Sequence, residues 1–216
     1  MNHGQEAPLL QCRSLELRVG YRSLIKNFEL ALFRNEAVAV VGPNGLGKTT
    51  LLRTLCGISR PYRGEVLLSG ETLWPQKNVK TRHDVCFLAS QPALFFEHSV
   101  LDNFEFYLRS LDRRVDREAM LSALKQVGLD RHAKQTARTL STGQKRRLTL
   151  AMLSLARPLT VLLDEPTNGL DDDGAELCLQ ILRTLVDNGS GLLIASHDSQ
   201  MIGWCQRQLN LREWAS

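Results

Sequence analysis

The 216-residue sequence has no run long and apolar enough to span a bilayer. Its longest apolar-rich region, Leu148 to Leu163, is broken by Arg157-Pro158 and carries Thr and Ser. The amino-terminal Met1-Asn-His-Gly-Gln-Glu6 lacks the charged and apolar regions of a secretory signal. There is no tandem repeat, low-complexity segment or long linker. The five cysteines, Cys12, Cys56, Cys86, Cys178 and Cys205, are odd in number, widely spaced and without a C-x-x-C pair. Neither a zinc site nor a disulfide framework is indicated, and a reduced cytoplasmic setting is expected. A formal net charge of +4 is too diffuse to point to nucleic acid, so no nucleic-acid partner is expected. The basic clusters Arg113-Arg114 and Lys145-Arg146-Arg147 read as solvated helix faces. These absences imply a chain soluble by itself, whose membrane role, if it has one, comes through a partner. What remains is an ordinary globular composition, 43% hydrophobic, in a length that holds one large domain or a core with a subdomain.

Against that background, Gly42-Pro43-Asn44-Gly45-Leu46-Gly47-Lys48-Thr49 matches the phosphate-loop pattern G-x-x-x-x-G-K-[ST] at every fixed position. Val38-Ala-Val-Val41 before it reads as a buried strand, and Thr50 to Leu55 after it as the start of a helix. Glycines let the backbone curl so that successive N–H groups point at one anion, and the helix end adds partial positive charge. Lys48 supplies a mobile charge for the β- and γ-phosphates, and the Thr49 hydroxyl suits Mg²⁺. Taken alone, the loop implies nucleoside triphosphate binding and no more.

Leu10 to Leu32 reads as short strands with turns at Gly20 and Asn27, and Arg34-Asn-Glu36 as a turn into the strand at Val38. Gly64 to Ser69 and Val85 to Ala89 are further strand candidates. Val100 to Leu111 and Arg117 to Val127 carry apolar residues at helical spacing, with Gly128 as a stop, and a third helix is predicted from about Thr142 to Ala156. Thr160 to Leu163 and Gly191 to Ser196 read as buried strands flanking a helix over Asp172 to Val186. Strands alternating with helices around a phosphate loop imply an α/β fold with a mostly parallel sheet.

Val161-Leu-Leu-Asp164-Glu165-Pro166 is an apolar strand ending in two carboxylates. Because neighbouring strand residues face opposite sides, the two acids are expected to differ in role. Asp164 would support Mg²⁺ beside Thr49, and Glu165 would orient and polarise the attacking water. Leu140-Ser141-Thr142-Gly143-Gln144 contains S-x-x-Q, a capping box at the start of a helix.

With these motifs in this order, the sequence resembles the ATP-binding cassette (ABC) family from roughly Tyr21 to His197. That family's signature is usually written Leu-Ser-Gly-Gly-Gln; here Thr142 stands at its first Gly. The resemblance implies a P-loop NTPase (RecA-like) core with an amino-terminal antiparallel β subdomain and an inserted α-helical subdomain, the core over 1–98 and 158–216 and the helical part over 99–157. It implies that Gly42 to Thr50 hold ATP with Mg²⁺, and that Tyr21 stacks on adenine. It gives Gln91 contact with Mg²⁺ and the attacking water, and His197 contact with the γ-phosphate. It places Ser141, Gly143 and Gln144 on the nucleotide of a second subunit, with Asp171 in the loop Asn168-Gly-Leu-Asp171 crossing between subunits. Asn168-Gly169 departs from the commoner Ser-Ala. The implied partners are a second cassette, as a homodimer or pseudo-dimer sandwiching two nucleotides, and an integral membrane transporter subunit. The implied location is peripheral, on the cytoplasmic face of the inner membrane.

Lys48, Gln91, Asp164, Glu165 and His197 are all present, which favours a working ATPase over a regulatory module without turnover. Soluble family members acting on ribosomes or DNA usually carry two cassettes or long insertions, and none is seen. The chain ends soon after His197, so no added regulatory domain is expected. Leu51 to Pro61, Asp102-Asn-Phe-Glu-Phe-Tyr107, Gly143-Gln-Lys-Arg-Arg147 and Leu170-Asp-Asp-Asp-Gly174 make the chain similar to the ATP-binding subunit of the cytochrome c maturation (haem export) system. Other small exporter ATPases share these stretches. His3, His83, His98 and His132 lack any spacing diagnostic of haem contact.

Overall fold

The computed structural model describes residues 7–74 and 83–215. The amino-terminal residues 1–6, including His3, lie outside the described residues. Along the chain run β1 (Leu10–Val19), β2 (Arg22–Leu32), β3 (Ala37–Val41), α1 (Lys48–Leu55), β4 (Arg63–Leu68) and β5 (Glu71–Thr72). There follow β6 (Val85–Leu88), α2 (Val100–Ser110), α3 (Arg117–Gln126), α4 (Thr142–Ala156), β7 (Thr160–Asp164), α5 (Asp172–Asp187), β8 (Gly191–Ala195), α6 (Ser199–Trp204) and β9 (Arg207–Asn210).

The strands form an antiparallel sheet in the order β2-β1-β4-β5 and a parallel sheet in the order β6-β7-β8-β3-β9. In β7 and β8 every residue is buried, which is why both read as continuous apolar runs without alternation. The pleat sorts them between two layers. Val38, Val40, Leu162 and Leu193 pack with α1 and the antiparallel sheet, through Leu51, Leu52, Phe28 and Ile25. Ala37, Val161, Leu163, Leu192 and Ile194 pack on the other face with α5 and α4, through Cys178, Leu179, Leu182, Leu150 and Leu153. A further cluster joins α2, α3 and α4 through Phe104, Leu108, Leu124, Leu148 and Met152.

The fold has the α/β P-loop architecture expected, with two differences of detail. Asn27 marks no turn but lies inside β2. Leu15 faces Phe28 and Leu17 faces Ile25, so Lys26 and Asn27 together oppose Glu16. Asn27 adopts φ 52°, a left-handed conformation Asn tolerates, and the strand bulges instead of reversing. The other difference is α6 and β9, which periodicity does not foresee. β9 is a four-residue edge strand, Arg-Gln-Leu-Asn, alternating between half-buried and exposed, and it has no apolar run to announce it.

Four cysteine thiols sit in these cores or at their edges. Burial pushes Cys12, Cys178 and Cys205 up to about 12 and Cys86 to about 11, so they stay protonated near neutral pH. Among the described residues no helix is long and apolar enough to cross a membrane.

Candidate functional site

The parallel register brings three loops to one edge of the sheet. Val40 lies beside Ala195, and Ala195 beside Asp164. The chain therefore leaves β3 into Gly42, β8 into Ser196-His197 and β7 into Glu165 at the same level, outside the carboxyl ends of the strands. A cavity of about 460 Å³ opens there, lined by Asn44, Gly45, Gly47, Lys48, Thr49 and Thr50 from the loop, by Asp164 and Glu165, and by Val19, Arg22, Leu24 and Ser90.

The amino-terminus of α1 faces this cavity and is unfinished. Its N-cap is Gly47 at φ 98°, with no side-chain cap and no acidic residue in the first turn. Every other α-helix described has a side-chain cap, from Ser99, Asp116, Ser141, Asp171 or Asp198. A side chain at 47 would be strained at this φ, and its β-carbon would meet Leu24 Cδ1 at 3.1 Å. Glycine is thus needed both to turn the chain and to let it lie against β2. Free N–H groups at a helix start, with Lys48 beside them, suit an anion.

Lys48 is buried, at 8% exposure, and its three donors are engaged within the chain. Nζ lies 2.7 Å from Gly42 O, 3.4 Å from Pro43 O and 3.0 Å from His197 Nε2. His197 Nε2 also lies 2.9 Å from Asn44 Oδ1. Lysine only donates, so the ring nitrogen either accepts from Lys48 or, when protonated, donates to Asn44. An arriving phosphate therefore replaces internal contacts of Lys48, of which the one to Pro43 is the longest.

Thr49 Oγ1 donates to Asp164 Oδ2 at 2.9 Å. A hydroxyl and a carboxylate side by side are hard oxygen donors, a set that fits Mg²⁺. Glu165 follows Asp164 but has left the strand. Its φ is 48°, and its N–H donates to Ala195 O. Both acids line the cavity but take different partners, and the backbone turns between them, so strand alternation does not extend to Glu165 as expected. Glu165 Oε2 accepts from the His197 N–H at 3.3 Å, and Oε1 lies 3.7 Å from His197 Nε2.

Two expected residues sit at the margins. Tyr21 is fully exposed at the tip of the β1–β2 hairpin, between Val19 and Arg22, which line the cavity. Gln91 is exposed on the loop after β6, where Ser90 is the residue that lines the cavity. What holds that loop is Arg146. Read from sequence as part of a solvated face, Arg146 is instead buried, at 1% exposure. Its guanidinium donates to Ala89 O at 2.8 Å and to Ser90 O. It lies at helical spacing before Leu150 and Leu153, on the apolar stripe of α4, a signal its charged neighbours conceal.

The signature segment stands at the start of α4. Ser141 Oγ accepts from Gln144 N at 3.2 Å, and Gln144 Oε1 accepts from Ser141 N at 2.9 Å. The capping box is formed as its spacing predicts. Ser141 is exposed, Gly143 half-buried, and Gln144 Nε2 lies 3.2 Å from His132 Nε2. None of them lines the phosphate cavity. Asp171 caps α5 through Gly174 N and accepts from Arg147 at 2.7 Å. The guanidinium holds its carboxyl below the usual carboxylate range.

Residues 25–168 match the family model described as ABC transporter. The chain is 37% identical over 202 residues, 93% of its length and 85% of the relative's, to the cytochrome c biogenesis ATP-binding export protein CcmA of Alkalilimnicola ehrlichii. It is 31% identical over 180 residues, 82% of its length and 74% of the relative's, to the SkfA peptide export ATP-binding protein SkfE of Bacillus subtilis. Among solved structures it resembles the dimeric, post-hydrolysis ATP-binding cassette MJ0796 bound to ADP and Pi, with a TM-score of 0.85 and 26% identity over 94% of each chain.

Proposed function

The chain belongs to the ABC transporter family, and from that premise we propose that it is a Mg²⁺-dependent ATPase that closes with a second copy around two ATP molecules to drive an integral membrane partner. The observation that carries this reading is that Lys48, the Thr49–Asp164 pair and Glu165 line one cavity, with His197 in contact with both Lys48 and Glu165. These are the parts phosphoryl transfer requires: a phosphate cradle, oxygen ligands and a base beside the reacting end.

In this reading the bare start of α1 and Lys48 hold the phosphates, while Thr49 and Asp164 hold Mg²⁺. When bound, Mg²⁺ neutralises charge on the phosphate oxygens. Glu165 accepts a hydrogen bond from the attacking water and polarises it, and His197 keeps the carboxylate aimed through its backbone N–H. Tyr21 offers a ring face to the base at the cavity mouth. Ser141, Gly143 and Gln144 serve the nucleotide of the second copy, since they stand outside this chain's own cavity. Residues 99–157 act as a helical subdomain carrying that surface.

The membrane partner would dock in the groove beside the Gln91 loop. A cavity of about 740 Å³ there is lined by Ile58, Leu88, Pro92, Ala93 and Tyr107 among others. Phe95 and Phe106, both exposed, stack edge to face at 4.5 Å. The chain would then lie peripherally on the cytoplasmic face of the inner membrane. Among cargo systems, cytochrome c biogenesis is preferred, because the relative named for it shares 37% identity against 31% for the peptide exporter.

The test is ATP hydrolysis by the purified chain with and without Mg²⁺, beside Glu165→Gln. The substitution keeps shape and removes the charge that polarises water. Turnover is expected to fall by about two to three orders of magnitude with ATP binding retained. Equal rates for the two proteins would sink the assignment of Glu165. Co-purification and identification of the membrane subunit tests the cargo.

A further inference from the structure

The turn that opens α4 and the loop that follows Glu165 meet at their backbones. A β-carbon on Gly169 would lie 2.9 Å from the Thr142 Cγ2 methyl and 3.7 Å from Thr142 Cβ. One on Gly143 would lie 2.9 Å from the Gly169 carbonyl oxygen. Carbon atoms in contact rest at about 3.5–4.0 Å, so between residues 142 and 169 there is room for one methyl group, and Thr142 supplies it. Gly169 takes φ 80°. It sits in a turn that starts at Glu165, closed by Asn168 N to Glu165 O and Leu170 N to Thr167 O, each at 3.1 Å. Beyond the turn, Arg147 of α4 grips Asp171 at 2.7 Å. The loop that begins at Glu165 is thus held to the start of α4 by a steric contact at one end and an ion pair at the other.

We propose that Thr142 and Gly169 form a steric latch: the Thr142 methyl seated on Gly169 sets where the amide end of α4 stands relative to Glu165. Thr142 is a positioning residue. The latch matters because the two ends it joins serve different nucleotides. Glu165 works on the ATP of its own chain, while the start of α4 faces the ATP of the second copy. This rests on the two-copy reading above. Both residues are exposed, so a shift of the turn after Glu165 reaches the α4 amides through this local contact and the adjoining Gly143–Gly169 backbone approach, not through a packed core.

The experiment exchanges the methyl between the two positions. In the full chain carrying Glu165→Gln, ATP-induced dimerisation is measured by sedimentation for the parent, Gly169→Ala, Thr142→Ser, and Thr142→Ser with Gly169→Ala. Gly169→Ala puts a second methyl in the space for one. It is expected to weaken the dimer about tenfold while ATP affinity of the monomer stays within about twofold. Thr142→Ser removes the Cγ2 methyl and keeps the hydroxyl, so the double variant is expected to regain most of the loss. Part of the loss stays in both backgrounds, because alanine is strained at a left-handed position. A folded double variant as weak as Gly169→Ala, or weaker, overturns the latch. Amide exchange at Gln144 and Lys145 in the ATP-bound monomer gives a reading independent of association. Faster exchange in Gly169→Ala and in Thr142→Ser, with the double variant nearer the parent, supports the latch, and unchanged exchange in both overturns it. A parent that stays monomeric with ATP overturns the two-copy reading alone, and the exchange data then decide the latch. Should Gly169→Ala not fold, Thr142→Ser, which needs no new space, carries the same comparison.

Discussion

Two helix amino-termini in this chain are finished in opposite ways. α1 begins at Gly47 without a side-chain cap, half-buried at the cavity, and the buried Lys48 beside it occupies its donors with Gly42 O, Pro43 O and His197. α4 begins with Ser141, exposed, and Gln144, half-buried, satisfying each other's backbone groups, and neither lines that cavity. The first is a site that is locally incomplete and gains by taking a ligand. The second is locally complete, so nothing in the single chain asks for a ligand there. Any role for it in phosphate binding depends on what a second copy brings opposite. On the two-copy reading proposed above, one chain holds a whole cradle and half of another.

That contrast is open to attack where the two ends are tied together, and the largest effect is expected at Arg146. It reaches from α4 to the Ala89 and Ser90 carbonyls, and Ser90 lines the α1 cavity. Arg146→Ala leaves the half-buried Ala89 and Ser90 carbonyls without this donor and a void where a side chain at 1% exposure stood. A loss of about 3–4 kcal/mol in unfolding free energy is expected by denaturant titration. A stability unchanged within about 0.5 kcal/mol would show that the clamp carries no energy and that the two ends are less connected than the contacts indicate.

Lys48→Ala comes next, and it separates the ends. A charge-assisted contact to phosphate is lost at the α1 cradle, while α4 is untouched. Nucleotide affinity by calorimetry is expected to drop roughly thirtyfold, about 2 kcal/mol, with little change in thermal stability of the free protein. The internal partners of Lys48 are two carbonyls and an imidazole, all within reach of water once the side chain is gone. Affinity equal to that of the unmodified chain would mean that the loop does not cradle phosphate.

Much of this contrast was legible in the residues. The phosphate loop is recognisable because glycine, lysine and threonine at fixed spacing have few other uses, and the S-x-x-Q spacing marks the start of α4 to the residue. Other features are settled by tertiary contact and leave weaker traces. Arg146 belongs to the apolar stripe of its helix, but Lys145 and Arg147 on either side make it read as surface. Asn27 carries a turn residue's composition, yet its strand continues because Leu15 and Leu17 hold the register across the bulge. Glu165 leaves the strand through a left-handed backbone, which no side-chain pattern announces at a non-glycine residue. The fit of Thr142 to Gly169 joins residues 27 positions apart in sequence; each stands out as a departure from the family pattern, but nothing in the sequence pairs them.

The smallest direct effect is expected at Ser141, and it sharpens the contrast most. Ser141→Ala removes the Oγ that accepts from Gln144 N, an exposed cap costing about 1 kcal/mol. The monomer should stay folded and bind ATP as before, because this end takes no part in its own cradle. Ser141→Glu adds a carboxylate at the same point. If α4 faces the γ-phosphate of a second copy, like charges meet there, and the closed dimer of the Glu165→Gln protein should be lost while ATP binding to the monomer survives. Mixing then distinguishes a half-site from a general defect. In a pair made of one Ser141→Glu copy and one Lys48→Ala copy, with Glu165 intact in both, the two defects fall on the same composite site. The other composite site has an unmodified Lys48 cradle and an unmodified Ser141 end. Each protein alone should be nearly inactive, since every site in it is damaged, whereas the mixture should recover activity in the fraction of mixed pairs. Recovery needs the two copies to be arranged head to tail; in an arrangement where each chain used its own α4, the defects would sit at separate sites and mixing would restore nothing. Recovery also requires that one intact composite site turn over alone; where that holds, absence of recovery, with both variants folded and exchanging partners, would remove the second copy from the account of α4 and leave Ser141 as a helix cap only.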